Sequence, residues 1–174
     1  RSALREDPDI ILVGELRDLE TVQLALTAAE TGHLVLGTLH TSSAPKTIDR
    51  IVDVFPAGDK DMIRSMLAGS IEAIITQTLI KRKDGKGRVA AFEILLGIPS
   101  VRNLIREGKV AQMYSIMQIS SKQGMKIMKD AIYELVQENL VDLNEAKSYF
   151  THIGDEEADK VTIGARNKNT TGGF

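Results

Sequence analysis

The sequence predicts an α/β protein in which a strand–helix–strand unit comes first, a β-hairpin follows and helices close the pattern. Two apolar runs, residues 10–15 and 34–40, flank an amphipathic segment and indicate the first unit. The sequence DGKG at residues 84–87 lies between two strand-like segments and indicates the hairpin turn. After Pro99 the apolar residues recur at helical spacing, so the last part of the chain is expected to be helical.

The first unit is expected to contain a parallel pair of strands. Its first apolar run leads without interruption to Glu15, which is typical of a strand buried on both faces. Asp18 is a good N-cap for the next helix, whose apolar stripe runs from Leu19 to Ala29 and ends before Gly32. Because a helix connects the two runs, we expect a right-handed crossover and parallel pairing.

Caps, stripes and turns predict the remaining elements. Ser43 is expected to cap a short helix that closes near Phe55, and Asp59 to begin a longer helix whose stripe continues to Ile75. Two hairpin strands and four helices are expected after it, at residues 77–83, 88–96, 100–107, 110–118, 125–137 and 142–150. We expect three parts, an α/β part, a helical part and a flexible polar tail, at residues 1–97, 98–150 and 151–174.

Composition restricts the class of protein. The chain has 174 residues, of which 43% are hydrophobic, and a formal net charge of −2, as expected for a globular protein without general affinity for nucleic acid. No apolar run has the length of a membrane-spanning helix, so no membrane insertion is expected. The absence of cysteine excludes disulfides and thiolate zinc sites. Because the sequence begins with Arg1 rather than Met, we expect a fragment of a longer protein.

Two reactive side chains are expected at one edge of the sheet. Glu15 closes the first strand and His40 the second, and ligands bind beyond the carboxyl ends of parallel strands. Glu15 can act on the hydration shell of Mg²⁺ or on an attacking water, or it can simply pair with Arg17. His40 can contact a γ-phosphate, or a backbone carbonyl of the next turn can hold it. His33 precedes its strand and is expected at the opposite edge.

The chain lacks the loop that would hold phosphates beside this edge. A Gly-x-x-x-x-Gly-Lys-Ser/Thr segment occurs nowhere in the sequence, and the glycines of residues 84–87 lie in a hairpin. A catalytic edge without a phosphate cradle is typical of the second half of an NTPase. We interpret the basic residues around the hairpin as a solvated turn that protects an edge strand. A helix-turn-helix DNA binder is disfavoured, because no basic recognition helix is present.

Three spaced segments resemble the type IV pilus retraction ATPases, the PilT-like members of the secretion-ATPase superfamily. Residues 3–18 are similar to their Walker B region, with Gly14 where Asp is usual, and residues 31–41 are similar to their histidine box. Residues 100–107 are similar to the Ala-Ile-Arg-Asn-Leu-Ile-Arg-Glu signature associated with retraction, with Ser-Val at its start. The resemblance extends over residues 2–150, and the absence of cysteine fits the retraction branch.

This resemblance implies a fold and a set of roles. The fold would be the second half of a RecA-like P-loop NTPase core, followed by a C-terminal helical bundle. Glu15 would act on Mg²⁺ or water and His40 would sense the nucleotide, with Arg17 and His33 in support. No residue is expected to bind a metal directly. The retraction signature would comprise Val101, Arg102, Asn103, Leu104, Ile105, Arg106 and Glu107.

The same resemblance implies a cofactor and partners. The cofactor would be Mg²⁺ with ATP. The full-length protein would be a cytoplasmic homohexamer at the inner face of the membrane, acting on an inner-membrane platform protein and indirectly on pilin. The function implied is ATP-driven pilus retraction and twitching motility, with this chain alone inactive and a poor binder of Mg-ATP. The alternative is a non-catalytic interaction module that docks on the pilus machinery.

Overall fold

The computed structural model describes residues 8–150, and within this range the elements follow the predicted order. The strands are β1 Ile10–Val13, β2 Leu34–Gly37, β3 Ala73–Lys81 and β4 Arg88–Leu96. The α-helices are α1 Leu19–Glu30, α2 Ala44–Asp53, α3 Lys60–Ser70, α4 Pro99–Arg106, α5 Met113–Ile119, α6 Met128–Gln137 and α7 Leu143–Phe150. The tail predicted at residues 151–174 lies outside the described residues, as do residues 1–7.

β1 and β2 form the predicted parallel pair, with α1 as the crossover between them. The register pairs Ile10 with Leu34 at the start of the two strands. At the start of α1 the side chain of Asp18 accepts a hydrogen bond from the backbone N–H of Thr21 at 2.9 Å, as an N-cap residue does. Both strands are shorter than predicted, since each ends before the charged residue that was expected to close it.

The prediction that the first strand is buried on both faces is wrong for the part of the chain that the structure describes. Ile10 and Leu12 of β1 are 58% and 76% exposed, and Leu34 and Leu36 of β2 are 45% and 49% exposed. Parallel sheets are normally covered by helices on both faces. Here the sheet has two strands and α1 packs against it, so one face has no covering layer among residues 8–150.

The boundary between α3 and β3 also differs from the prediction. Ile74 and Ile75 continue the apolar spacing of α3, but they belong to β3, because the helix ends at Ser70 and Ile71 is extended with a ψ of 127°. Ile74 is buried and Ile75 is exposed, which is the alternation of a strand. Antiparallel pairing with β4 along the whole length of β3 decides the outcome, since it supplies the backbone partners.

The hairpin closes in the predicted turn. Arg82 donates hydrogen bonds to the carboxylate of Asp84, the shorter at 2.8 Å from Nη2, and the backbone N–H of Lys86 donates to Asp84 Oδ1 at 2.9 Å. Gly85 and Gly87 have φ angles of 70° and 91°, in the region that side chains rarely adopt. The hydrogen bonds from Arg82, and then that from Lys86, lower the pKa of Asp84 to about 2.

Two of the C-terminal helices begin later than predicted. Residues 110–112 form a 3₁₀ turn before α5. α6 begins at Met128 rather than at residue 125, because Lys126 pairs with Ile94 of β4 through two backbone hydrogen bonds, at 2.8 and 3.0 Å. Ile127 is then extended, with a ψ of 151°, and precedes the first turn of the helix. The C-terminal region is therefore attached to the hairpin immediately before α6.

Two clusters of buried side chains hold the elements together. The larger joins α1, α2 and α3 to α4 and α5, and it includes Val22, Ile48, Ile63, Val101 and Met113. The smaller joins the hairpin to α6 and α7 and includes Ile80, Ala91, Ile132, Val141 and Ala146. The larger cluster contains residues on both sides of Gly97. The predicted division of the chain into parts at that point stays a prediction. No helix within residues 8–150 is long and apolar enough to cross a membrane.

Candidate functional site

The structure brings Glu15 and His40 to one edge of the parallel sheet, as predicted. Beyond the paired residues, the backbone N–H of Leu16 donates to Thr38 O at 2.9 Å, and the hydroxyl of Thr38 donates to Gly14 O. These bonds keep the two segments side by side past the ends of β1 and β2. As a result, Glu15 Oε1 lies 3.8 Å from His40 Nε2.

The carboxylate and the imidazole do not fix each other. Their separation of 3.8 Å exceeds the length of a hydrogen bond, and the side chains of His40 and Glu15 are 86% and 41% exposed. An exposed pair of this kind contributes little to stability. Both side chains can therefore turn toward a ligand, which a binding or catalytic role requires.

Glu15 and His40 line an open cleft of about 500 Å³. This volume falls in the range of small-ligand sites. The remaining lining residues are Leu16, Arg17, Leu39 and Arg50. Two guanidinium groups beside an acid and an imidazole suit an anionic ligand that carries a hydrated cation, because arginine binds phosphate oxygens through paired N–H groups.

Arg50 is the cleft residue that the sequence analysis missed. It lies in the last turn of α2, the helix that follows His40 in the chain. A basic residue in that position has an ordinary explanation, because it complements the negative end of the helix dipole. The sequence does point to the helix that carries Arg50, because this helix directly follows the loop after His40. It does not show which residue of the helix faces the cleft, since that depends on how the helix is oriented.

The structural alternatives weighed for Glu15 and His40 do not occur in residues 8–150. No ion pair joins Glu15 to Arg17 there, and the carboxylate faces His40 instead. The turn after His40 bonds to α2 rather than to the imidazole, with the hydroxyl oxygens of Thr41 and Thr47 2.6 Å apart. The catalytic roles of the two residues stay predictions.

His33 lies away from the cleft, before β2. Its Nδ1 is 3.0 Å from Ala28 O and 3.2 Å from Thr31 Oγ1, so the imidazole is tied to the C-terminal end of α1. Because β1 and β2 are parallel, a residue that precedes β2 lies at the edge opposite Glu15 and His40, as predicted. The supporting role expected for His33 stays a prediction.

The predicted retraction signature forms α4 and the residue after it. Val101 and Ile105 are fully buried in the larger cluster, and the side chain of Leu104 packs against it. The exposed residues of the signature are Asn103, Arg106 and Glu107. The apolar residues of the signature thus anchor the helix in the core, and its polar residues other than Arg102 face outward.

Arg102 ties α4 to the C-terminus of α3. Its Nη1 donates to Ala68 O at 2.9 Å and also to Gly69 O, both in the last turn of α3, and its Nε donates to Gly97 O. Its Nη2 forms an ion pair with Glu72 Oε1 at 3.0 Å. The guanidinium therefore satisfies carbonyl groups that have no partner within α3, and it complements the dipole of that helix.

The cleft contains an incomplete set of metal ligands. Within residues 8–150 no group of three or more Asp, Glu or His residues is placed to hold a metal ion. Glu15 is the carboxylate that lines the cleft. Because Mg²⁺ keeps several of its waters in proteins and binds few carboxylates, Glu15 fits contact with a metal-bound water.

The fold and the site define an α/β protein with a cleft at the carboxyl ends of its parallel strands, and residues 1–148 match the family described as Type II/IV secretion system protein. The chain belongs to this family. It is similar to the type IV pilus retraction ATPase PilT of Pseudomonas aeruginosa, with 64% identity over 147 residues, 84% of this chain and 42% of the relative. It is also similar to the twitching motility protein of Neisseria gonorrhoeae, with 61% identity over 140 residues, 80% of this chain and 37% of the relative.

Solved structures agree with these relatives. The crystal structure of the pilus retraction motor PilT with bound ADP matches 83% of this chain, with a TM-score of 0.75 and 50% identity. The X-ray structure of the ATPase DotB of Legionella pneumophila matches 87% of this chain, with a TM-score of 0.76 and 31% identity. This chain covers 40% and 41% of those two chains. The predicted fold class and the family resemblance are confirmed.

Proposed function

We propose that this chain is the part of an ATP-hydrolysing pilus retraction motor that brings an acid and an imidazole to the γ-phosphate. The observation that carries the proposal is the 3.8 Å approach of Glu15 and His40 in an open cleft that two arginines also line. The relatives named for ATP hydrolysis and pilus retraction support it.

Each cleft residue has a role that its chemistry supports. Glu15 accepts a hydrogen bond from water, either the attacking water or one that hydrates the cation, and orients it. His40 donates a hydrogen bond to a γ-phosphate oxygen, so its position depends on whether that phosphate is present. Arg17 and Arg50 add positive charge where negative charge develops during phosphoryl transfer. When bound with ATP, Mg²⁺ neutralises part of the phosphate charge.

We propose that the remainder of the longer protein supplies the phosphate-binding loop. A groove of about 880 Å³ lies between β2 and the first residues of β3. Within residues 8–150, β2 pairs with β1 and β3 pairs with β4, so each has one edge without a strand partner. A strand from the remaining part, inserted in this groove, would join the two sheets and place its following loop beside the cleft.

Assembly and partners belong to the same proposal. The full-length protein would act as a cytoplasmic homohexamer at the inner face of the membrane. There it would act on an inner-membrane platform protein and, indirectly, on pilin. The exposed residues of the retraction signature are available for such contacts, namely Asn103, Arg106 and Glu107. The alternative, a non-catalytic module that docks on the pilus machinery, is supported by the absence of a phosphate loop from this sequence.

Steady-state ATP hydrolysis by the full-length protein tests the proposal. Glu15→Gln keeps the size of the side chain but removes its charge, and we expect kcat to fall at least about 100-fold while KM changes little. The matched control is Glu30→Gln, the same change at an exposed position at the far end of α1. Normal hydrolysis by Glu15→Gln would exclude Glu15 from the mechanism. An inactive unmodified protein would favour the interaction module.

A further inference from the structure

Glu93 is a buried carboxylate that neither the sequence analysis nor the proposed mechanism uses. It lies in β4 opposite Thr76 of β3, and it is 1% exposed. Its Oε1 accepts a hydrogen bond from the backbone N–H of Ala44 at 2.7 Å and one from the Thr76 hydroxyl at 3.5 Å. Its Oε2 accepts a hydrogen bond from the backbone N–H of Met128 at 3.2 Å.

Ala44 and Met128 are the first residues of two different helices. The N-terminal N–H groups of a helix have no acceptor within the helix, and together with the helix dipole they attract negative charge. One carboxylate therefore satisfies the start of α2 with one oxygen and the start of α6 with the other. Burial raises the pKa of Glu93, and the hydrogen bonds from Ala44, Met128 and Thr76 oppose that rise.

The two helices connected by Glu93 belong to different regions of the fold. α2 follows the segment that leads from His40, and it carries Arg50 into the cleft. The hydroxyl of Thr47 in α2 donates a hydrogen bond to Ser43 O at 2.9 Å, and its oxygen lies 2.6 Å from that of Thr41. These contacts tie the segment between His40 and α2 to the helix. α6 belongs to the smaller cluster with α7, and both of these helices come after the signature helix in the chain.

We propose that Glu93 is a positioning residue that couples the C-terminal helices to the cleft. It holds the N-termini of α2 and α6 on a single carboxylate, so that the exact position of α2, with Arg50 and the segment from His40, depends on whether α6 is docked. The inference rests on the proposed function of the cleft. The coupling requires both oxygens, because either oxygen alone would cap one helix without joining it to the other.

The first experiment measures the connection without ATP. In the nucleotide-free full-length protein, hydrogen exchange is followed at the amides of Ala44 and Met128 in the unmodified protein and in Glu93→Gln. Glutamine has one acceptor oxygen, so we expect at least one of the two amides to exchange roughly tenfold faster. Glu138→Gln, the same change at the exposed residue that follows α6, is the matched control and should leave both amides protected. Unchanged exchange in Glu93→Gln would overturn the inference.

The second experiment separates positioning from simple stabilisation. In Glu93→Gln we expect kcat for ATP hydrolysis to fall roughly five- to tenfold, with KM for ATP within about twofold and after correction for the folded fraction. A role limited to stability would lower the melting temperature and leave the corrected kcat unchanged, which would overturn the coupling. If the unmodified protein hydrolyses no ATP, the proposed function fails, while the exchange experiment still decides whether the two helices share the carboxylate.

A second pair of variants leaves Glu93 intact. Met128→Pro removes the backbone N–H that donates a hydrogen bond to Glu93 Oε2. Proline is tolerated as the first residue of a helix, and the extended Ile127 precedes it here. Met128→Ala removes the same side chain but keeps the N–H, so it is the matched control. We expect kcat to be roughly fivefold lower in Met128→Pro than in Met128→Ala. Equal kcat values in these two variants would overturn the coupling, even if Glu93→Gln does not fold.

Discussion

Gly97 lies where two backbone segments approach each other closely. A Cβ atom at this position would lie 2.1 Å from Ile71 O and 2.9 Å from the carbonyl carbon of the same residue. The backbone N–H of Gly97 also donates to Glu72 O at 2.7 Å, and its own carbonyl accepts a hydrogen bond from Arg102. The absence of a side chain thus allows the chain at the end of β4 to pass over Ile71, the residue that follows α3.

Gly97→Ala is therefore expected to be strongly destabilising. The obstacle is backbone, which cannot turn aside as a flexible side chain can, so we expect a loss of about 2–4 kcal/mol in the free energy of unfolding. Urea denaturation measures this loss. Gly69→Ala is the control, since a Cβ there would meet nothing within 4 Å in a helix, and it should stabilise by about 0.5–1 kcal/mol. Equal effects of the two substitutions would contradict the packing argument.

Asp84 provides a prediction about pH at the hairpin turn. Its pKa is lowered to about 2, first by the side-chain hydrogen bond from Arg82, so its stabilising effect is present above the ordinary value of 3.8 and is lost as the pH falls toward 2. NMR titration of the carboxyl group should show this value, and Arg82→Gln should raise it toward 3.8. Arg88→Gln, which removes a nearby charge that does not bind Asp84, should leave the pKa unchanged.

At the scale of elements, the C-terminus of α3 is completed by a residue from another helix. The helix ends at Ser70, and the carbonyl groups of its last turn face the guanidinium of Arg102 on α4. That guanidinium also binds Glu72, in the short connection to β3. Arg102 thus adds polar bonds between α3, α4 and the start of the hairpin to the apolar contacts of the larger cluster.

Arg102→Met is expected to lower the free energy of unfolding by about 1–3 kcal/mol, because it leaves helix-end carbonyls without their partner and keeps the apolar stem. Arg102→Lys should recover less than half of this loss, since one ammonium group cannot span the same acceptors. Arg106→Met, on the exposed side of the same helix, should cost less than about 0.5 kcal/mol. Urea denaturation checks all three. An effect of Arg102→Met no larger than that of Arg106→Met would contradict the assignment.

Sequence patterns predicted the elements that depend on neighbouring residues. They failed where pairing with a distant strand determines the secondary structure. The Asp18 cap, the crossover helix and the hairpin turn were predicted correctly, because each depends on residues close in sequence. Ile74 and Ile75 were assigned to a helix, because their spacing fits α3 as well as β3, and only pairing with β4 distinguishes the two. The edge shared by Glu15 and His40 followed from the rule for parallel strands.

At the scale of the whole molecule, both sheets present exposed apolar residues. Leu12 of β1 is 76% exposed, and Ile75 and Phe92 of the hairpin are 64% and 42% exposed. Exposed apolar patches of this kind mark surfaces that other segments cover. The apolar pattern that led to the prediction of a fully buried strand is thus the pattern expected where further segments cover the second face of the sheet.

We expect the 174-residue chain to bind nucleotide weakly. In the proposed function its cleft supplies side chains for a γ-phosphate, but its sequence has no glycine-rich loop whose backbone N–H groups would hold the other phosphates. Isothermal titration calorimetry with Mg-ATP should therefore give a dissociation constant weaker than about 100 µM, which corresponds to less than about 5.5 kcal/mol of binding free energy. The full-length protein with Glu15→Gln, which keeps every phosphate contact, is the control and should bind more tightly. Micromolar affinity of the 174-residue chain would show that the cleft holds ATP without a phosphate loop.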